Sequence, residues 1–163
     1  MEDLQNVDHA ALRTNQAVII GLCIGAFVAD AAWLAAVVAL VMAAGTYKRV
    51  PGFGFLYRGL LKPRGWVKPD VIQDNPEPHR FAQGFGAVVL GAGAVLLFLG
   101  ASAPGWALVW LVVALAALNL FLGFCAGCAV YYWLNRLHVP GFARSAPPGS
   151  FPGMRPKVEE SKG

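Results

Sequence analysis

The sequence predicts an all-α integral membrane protein, a four-helix bundle made of two helical hairpins. The 163-residue chain is 57% hydrophobic and only 13% charged, which is more apolar surface than a soluble domain of this size buries. Its apolar residues form two blocks, residues 17–47 and 81–134, each longer than the roughly 20 residues that cross a bilayer once. Each block is broken near its middle, so each is predicted to be a pair of helices.

The break points set the helix boundaries. Asp30 interrupts the first block, and a Pro-Gly pair at Pro104 interrupts the second, where it is expected to end a helix. The predicted helices cover about residues 11–29, 32–47, 81–100 and 106–135. A secretory signal peptide is the alternative for the first block. The acidic residues Glu2, Asp3 and Asp8 argue against it, because the segment before a signal peptide's apolar run is basic.

The basic residues test the number of helices. All 13 Lys and Arg lie at the beginning of the first helix (Arg13), between the second and third, or after the fourth, and the two hairpin turns contain none. With four helices these three regions share one side of the membrane, which the positive-inside rule identifies as cytoplasmic. Both termini are therefore expected in the cytoplasm. The pI of 9.2 is explained by contact with anionic lipid, so no nucleic-acid partner is predicted.

The transmembrane domain is predicted to cover residues 1–139, with a cytoplasmic segment at 48–80 and a Pro/Gly-rich cytoplasmic tail at 140–163. In the central segment, apolar side chains alternate with Arg58 and Lys62, a pattern typical of a short interfacial helix. The prolines that follow prevent a longer helix. The tail is expected to be extended or disordered.

Two cysteines, Cys125 and Cys128, are placed three residues apart within the predicted fourth helix. That spacing puts both sulfurs on one side, where they could share a metal, an oxidant or a persulfide. Cys23 is expected at a similar depth and is a candidate third thiol. The alternative is that all three cysteines are small packing residues. No histidine lies within reach on that helix, so no metal site is predicted there.

All three histidines, His9, His79 and His138, lie near predicted cytoplasmic helix ends. Four carboxylates accompany them: Asp8, Asp70, Asp74 and Glu77. Such a set could bind a divalent metal. It could equally cap helices or pair with neighbouring arginines, and both interpretations stay open.

Small residues recur at helical spacing and predict close packing between helices. The stripes are Ala32, Ala36, Ala39 and Ala43; Gly84, Ala87, Gly91 and Ala94; Gly21 with Gly25; and Gly123 with Gly127. The amides of Asn15, Gln16, Gln83 and Asn119 are expected to hydrogen-bond across helices. Asp30 is expected to cap the second helix.

Several runs resemble one family of bacterial membrane proteins, the domain of unknown function 4395. The runs are LRTNQ at 12–16, PGFG at 51–54, DNPEPHRFAQ at 74–83, and GFCAGC at 123–128 followed by Tyr131. The likeness extends to about Gly141. It implies the bacterial inner membrane and a cytoplasmic partner that is thioredoxin-like or rhodanese-like, and it supplies no catalytic residues.

The first functional hypothesis is therefore thiol-redox or sulfur handling by Cys125 and Cys128, with Cys23 as a third thiol. The alternative is an accessory subunit that packs against a larger membrane complex through its small-residue faces. A small permease is a third possibility. The sequence does not decide whether the protein is an enzyme, and it names no cofactor.

Overall fold

In the computed structural model, which describes residues 5–146 and 150–155, the chain is mainly helical. The long helices are α1 (His9–Val28), α2 (Ala32–Tyr47), α4 (Pro76–Phe98) and α5 (Ser102–Leu122). Shorter elements are strand β1 (Gln5–Asp8), helix α3 (Gly54–Leu56), which continues as a π-helical turn (Tyr57–Leu61), strand β2 (Val71–Asp74) and helix α6 (Ala126–Arg136).

The long helices form an apolar layer suited to lipid. Helices α1, α4 and α5 are each long and apolar enough to cross a membrane, whereas α2 is an apolar helix of 16 residues. The main core lies where these helices meet, and Cys23, Leu90 and Val38 are fully buried within it. Large side chains elsewhere on the same helices point outward, as lipid-facing residues do.

The predicted small-residue packing is confirmed for Gly84 and Gly91 of α4 and for Ala39 of α2, and these two helices make the most extensive helix contact; Ala43 of the α2 stripe is exposed. A Cβ added at Gly84 would lie 3.0 Å from Thr46 Cγ2, and one added at Gly91 would lie 4.0 Å from Ala39 Cβ. Small side chains thus let the two backbones approach. The stripe of Gly21 and Gly25 behaves differently, because an added Cβ at either position meets nothing within 4 Å.

The prediction of one fourth helix over residues 106–135 is wrong. Helix α5 ends at Leu122, and Gly123 follows in the left-handed conformation with φ 65°. Its backbone N–H donates to the Asn119 carbonyl, which satisfies the end of α5 as glycine commonly does at this position. The chain then turns and starts α6 at Ala126. Gly123 is therefore a helix terminator and does not belong to a packing stripe.

Polar and charged segments lie around the N-terminal ends of α1, α4 and α6. We call this region, which includes the strands β1 and β2, the polar layer. The strands β1 and β2 pair antiparallel, with Asp8 opposite Val71, and this two-stranded ribbon was not predicted from the sequence. Asp8 then caps α1, because its carboxylate accepts the backbone N–H of Ala10 at 3.0 Å. The short helix expected in the central segment is present as α3 and the turn after it.

The described residues of the tail pack against the rest of the protein. Residues 150–155 return to the start of α6, where the Cys125 N–H donates to the Gly153 carbonyl at 2.7 Å and Phe124 bridges to Met154. Upstream, the Ser145 carbonyl accepts from the Asn75 side chain at 2.9 Å. The described tail residues 140–146 and 150–155 form no helix, in keeping with an extended chain, but they pack against α4 and α6; residues 147–149 and 156–163 lie outside the described part.

Candidate functional site

Cys125 and Cys128 form a disulfide at the beginning of α6. Cys125 is the N-cap residue, and its Sγ accepts the backbone N–H of Cys128 at 3.2 Å. The expectation that the pair lies within a longer membrane helix is wrong, because Gly123 ends the preceding helix. The new position favours a thiolate. At a helix N-terminus, the positive end of the helix dipole and backbone N–H groups without a partner inside the helix stabilise a thiolate, whereas the middle of an apolar helix would disfavour one.

His79, in the second turn of α4, faces the same pair. Its Nδ1 lies 3.4 Å from Cys128 Sγ, while its Nε2 lies 2.9 Å from Asp74 Oδ2. A neutral imidazole whose Nε2–H donates to a carboxylate leaves the Nδ1 lone pair toward the sulfur. Once the disulfide is reduced, the arrangement Cys128–His79–Asp74 joins a thiol, a proton acceptor and a group that orients the acceptor.

Asp74 ends strand β2 and is almost fully buried. Burial alone raises the pKa of its carboxyl, but interactions with His79 and His9 and the Asn75 N–H outweigh burial and hold the pKa well below its ordinary value. The group is an anion at neutral pH. His9 Nε2 lies 3.2 Å from the same Oδ2 without completing an aligned hydrogen bond, and the two imidazole rings meet edge to face at 5.6 Å.

Helix packing brings these residues together. Gly127 of α6 lies directly against Ala82 of α4, where an added Cβ would be 2.7 Å from the Ala82 Cα. One turn further along α6, the Tyr131 hydroxyl donates to Glu77 at 3.0 Å. These two contacts fix the start of α6 beside His79.

A cavity of about 340 Å³ opens against the disulfide. Its wall includes both cysteines, His9, His79 and Asp74, together with Arg13, Gln16 and Asn119. Within the described residues, His9 Nε2 and Gln16 Oε1 are buried side-chain atoms without a hydrogen-bond partner. His9 Nε2 has the Asp74 carboxylate at 3.2 Å, and because buried polar atoms are nearly always paired, Gln16 Oε1 indicates that this wall accepts a polar ligand or water.

Other residues singled out from the sequence lie elsewhere. Cys23 is a free cysteine of the apolar core, in a different cluster of side chains from the disulfide. His138 is exposed at the end of α6. Asp70 pairs with Arg155 at 2.6 Å. Asp30 adopts a left-handed conformation and makes no cap hydrogen bond to α2, so that prediction is wrong.

The predicted hydrogen bonds between helices are confirmed for Asn15 and Gln83. Gln83 Oε1 accepts from the Asn15 side chain at 3.5 Å and from the Gly52 N–H at 3.2 Å. Its Nε2 donates to the Met42 carbonyl at 3.0 Å, and Asn15 Oδ1 accepts the Phe53 N–H at 2.8 Å. These amides join α1, α2 and α4 just below the site.

Two groups of side chains have the spacing of metal ligands. His79, Cys125 and Cys128 form one, and His9, Asp74 and His79 form the other, with the donor atoms of each group within 4.8 Å of one another. The expectation of no metal site is not met by this geometry, because His79 reaches the cysteines from a different helix. A useful signal was present in the sequence, since Asp74 and His79 both belong to the run DNPEPH.

The protein is therefore a membrane protein by its apolar helices, with a cysteine pair that meets a buried His-Asp pair in the polar layer. Its residues 7–136 match a family model, and the chain belongs to that family, the domain of unknown function DUF4395. No curated protein and no solved structure matches the chain.

Proposed function

We propose that the protein is a membrane-bound thiol–disulfide exchange protein in which Cys125 and Cys128 form the redox pair. In this proposal α1, α2, α4 and α5 cross the bacterial inner membrane as a bundle of two hairpins. The polar layer and both termini face the cytoplasm, as the distribution of Lys and Arg favours. The exchange partner is a cytoplasmic dithiol protein of thioredoxin-like or rhodanese-like type.

One observation carries the proposal: the disulfide lies at a helix N-terminus and is backed by His79 and Asp74. A packing cysteine needs neither feature. The N–H from Cys128 stabilises negative charge on Cys125 Sγ, which makes Cys125 the sulfur suited to be a thiolate. The exposed Arg13 lines the same cavity and gives its wall a cationic side chain.

The exchange proceeds in two balanced steps. A partner thiolate attacks Cys125 Sγ and forms a mixed disulfide, while the bond between Cys125 and Cys128 breaks and Cys128 leaves as a thiolate. The second partner thiol then loses its proton and attacks the mixed disulfide, which releases Cys125. The partner is oxidised to its disulfide, and the cysteine pair gains two electrons and two protons. In the reverse direction His79 Nδ1 accepts the Cys128 proton, so that Cys128 can resolve the mixed disulfide.

The test measures the rate of exchange with a small dithiol. The full chain is purified in mild detergent, reduced or oxidised with dithiothreitol buffers, and its thiol state is followed by alkylation and mass shift. We expect one reducible pair in the wild type and none in Cys125→Ser or Cys128→Ser. His79→Ala is expected to slow reoxidation by about 10² or more, the size of a lost acid-base contribution.

Replacement of the remaining cysteine separates two versions of the proposal. If the pair acts alone, Cys23→Ala leaves the exchange rate unchanged, whereas a third exchanging thiol predicts a large loss. His138→Asn is the matched histidine control, because Asn tolerates the left-handed conformation that His138 adopts. A pair that dithiothreitol cannot reduce in the folded protein, or an exchange rate that does not depend on His79, would count against the mechanism.

A further inference from the structure

We infer that the reduced protein binds a thiophilic divalent cation of the zinc class through Cys125 Sγ, Cys128 Sγ and His79 Nδ1. This inference goes beyond the proposed function, because it assigns a second state to the dithiol form. It rests on three side chains whose donor atoms lie within 4.8 Å of one another. It also rests on the buried groups around them.

The ligand types and their spacing suit zinc. Two thiolates and one imidazole are typical zinc ligands, and a site with three protein ligands keeps a fourth position open. Here the two cysteines approach from the start of α6 and the histidine from α4. The N–H that reaches Cys125 Sγ at 3.2 Å also stabilises a metal-bound thiolate without occupying its remaining lone pairs.

Asp74 plays the supporting role that metal-bound histidines usually require. It accepts from His79 Nε2 at 2.9 Å, which fixes the ring and leaves Nδ1 free toward the sulfurs. This carboxylate is nearly inaccessible to solvent, so its contact with the His79 ring is held by the surrounding protein.

A second, independent observation points to a ligand. Among the described residues, Gln16 Oε1 is a buried atom without a hydrogen-bond partner, and the buried His9 Nε2 lies 3.2 Å from Asp74 Oδ2 without an aligned hydrogen bond. The same cavity of about 340 Å³ contains His9 and the three proposed ligands on its wall. A water molecule held in this cavity by a bound cation would donate a hydrogen bond to the Gln16 oxygen on its wall.

Oxidation and metal binding exclude each other at these sulfurs. Two thiols release two protons when they bind Zn²⁺ as thiolates. When a partner disulfide takes two electrons from the pair, the bond between Cys125 and Cys128 forms and the cation is released. The inferred site is thus filled only in the reduced state.

The test uses the full chain in mild detergent with Zn²⁺ as the probe. The reduced and oxidised forms of the wild type are loaded, desalted and analysed for zinc, and affinity is measured by competition with a chromophoric chelator. We expect about one zinc per reduced chain and none above background in the oxidised form. Co²⁺ in the reduced form is expected to give a thiolate charge-transfer band.

Variants identify the ligands. Cys125→Ser, Cys128→Ser and His79→Ala should each abolish stoichiometric binding, and Asp74→Asn should weaken it by about 10- to 100-fold, as loss of such a supporting group does. His138→Asn should bind as the wild type does. Because the comparison of the reduced and oxidised wild type uses one folded chain, it remains decisive if a variant does not fold.

The outcomes separate this inference from the proposed function. Equal zinc binding by the oxidised form, or by His79→Ala, would overturn the metal site. A pair that exchanges with dithiothreitol but binds no zinc overturns the metal site and leaves the redox proposal in place. If the reduced chain binds zinc but its cysteine pair does not exchange with dithiothreitol, the redox proposal is overturned and the metal site stays.

Discussion

The apolar layer and the polar layer of this protein are ordered by different kinds of contact. In the apolar layer, small residues bring α2 and α4 together, and the lipid-facing surface needs little specificity. In the polar layer, order depends on single hydrogen bonds, one glycine contact and the paired strands β1 and β2. We therefore expect the apolar layer to tolerate many substitutions. In the polar layer, one added side-chain atom can displace the disulfide from His79.

The largest effect is expected where α6 rests on α4. Gly127→Ala places a Cβ 2.5 Å from the Ala82 Cβ and 2.7 Å from its Cα, so the helices must separate. We expect a loss of about 3 kcal/mol in the free energy of unfolding, the upper part of the range for overpacking. Exchange at Cys128 should fall with it. Unfolding in mixed detergent micelles and the thiol-exchange rate measure the two effects.

Gly25→Ala is the matched control for that change. Its added Cβ meets nothing within 4 Å, and alanine favours the helix. Stability should stay the same or rise slightly. An equal loss in both variants would show that the contact with Ala82 is not what makes Gly127 sensitive.

The next effect concerns the core of the apolar layer. Leu90 is fully buried between helices, and Leu90→Ala should cost about 2 kcal/mol. This cost is at the low end of the range for a buried Leu→Ala substitution. Leucine is also stable in contact with lipid, so the substitution removes mainly packing contacts. Leu40→Ala, at a position 69% exposed, should change stability little. If Leu90→Ala slows thiol exchange as much as Gly127→Ala does, the apolar layer and the polar layer do not differ in their effect on the site.

A smaller effect is expected at the anchor of α1 in the polar layer. The Tyr57 hydroxyl donates to Asp8 Oδ2 at 2.9 Å, and Tyr57→Phe should cost about 1.5 kcal/mol, since the acceptor is charged. Tyr47→Phe, at an exposed position, should cost nothing measurable. The apparent melting temperature in detergent compares the two.

This anchor also gives stability a defined pH dependence. Burial and the neighbouring Asp8 raise the pKa of Tyr57 to about 12, so its contribution is complete below the ordinary value of 10.0 and is lost as pH rises through about 12. Asp8 behaves in the opposite sense. Burial opposes its ionisation, but hydrogen bonds from the Asp70 N–H and Tyr57 hold its pKa below 3.8, so stability falls at pH below that value. Asp8→Asn should remove the contribution of Asp8 to this acid limb and leave that of Asp74, whose pKa is also held low.

The smallest effect is expected where the tail covers the disulfide. Gly153 has φ 87°, and an added Cβ would lie 2.8 Å from the Cys125 carbonyl oxygen. Gly153→Ala should therefore move the tail away and increase the rate of disulfide reduction a few-fold. Gly141→Ala is a close control, because it carries the same positive φ with nothing within 4 Å. Equal rates in the two variants would exclude a covering role for residues 150–155.

The sequence by itself determined the long apolar helices that suit a membrane and the small-residue contact between α2 and α4. These follow from composition and helical periodicity, which are properties of short stretches of chain. It also indicated Cys125 and Cys128, because a CxxC spacing is local. What it obscured was the break at Gly123, since a glycine in an apolar run suits a packing stripe as well as a helix end.

Only the tertiary structure decided that the cysteine pair begins a helix beside His79 and Asp74. Asp74 precedes Cys125 by some fifty positions, and their contact depends on how α6 packs on α4 and how β2 pairs with β1. No local sequence pattern predicts this contact, because each of these residues taken alone is equally compatible with a helix cap or a solvated charge. The apolar layer was therefore predictable, and the chemistry of the polar layer emerged from the folded chain.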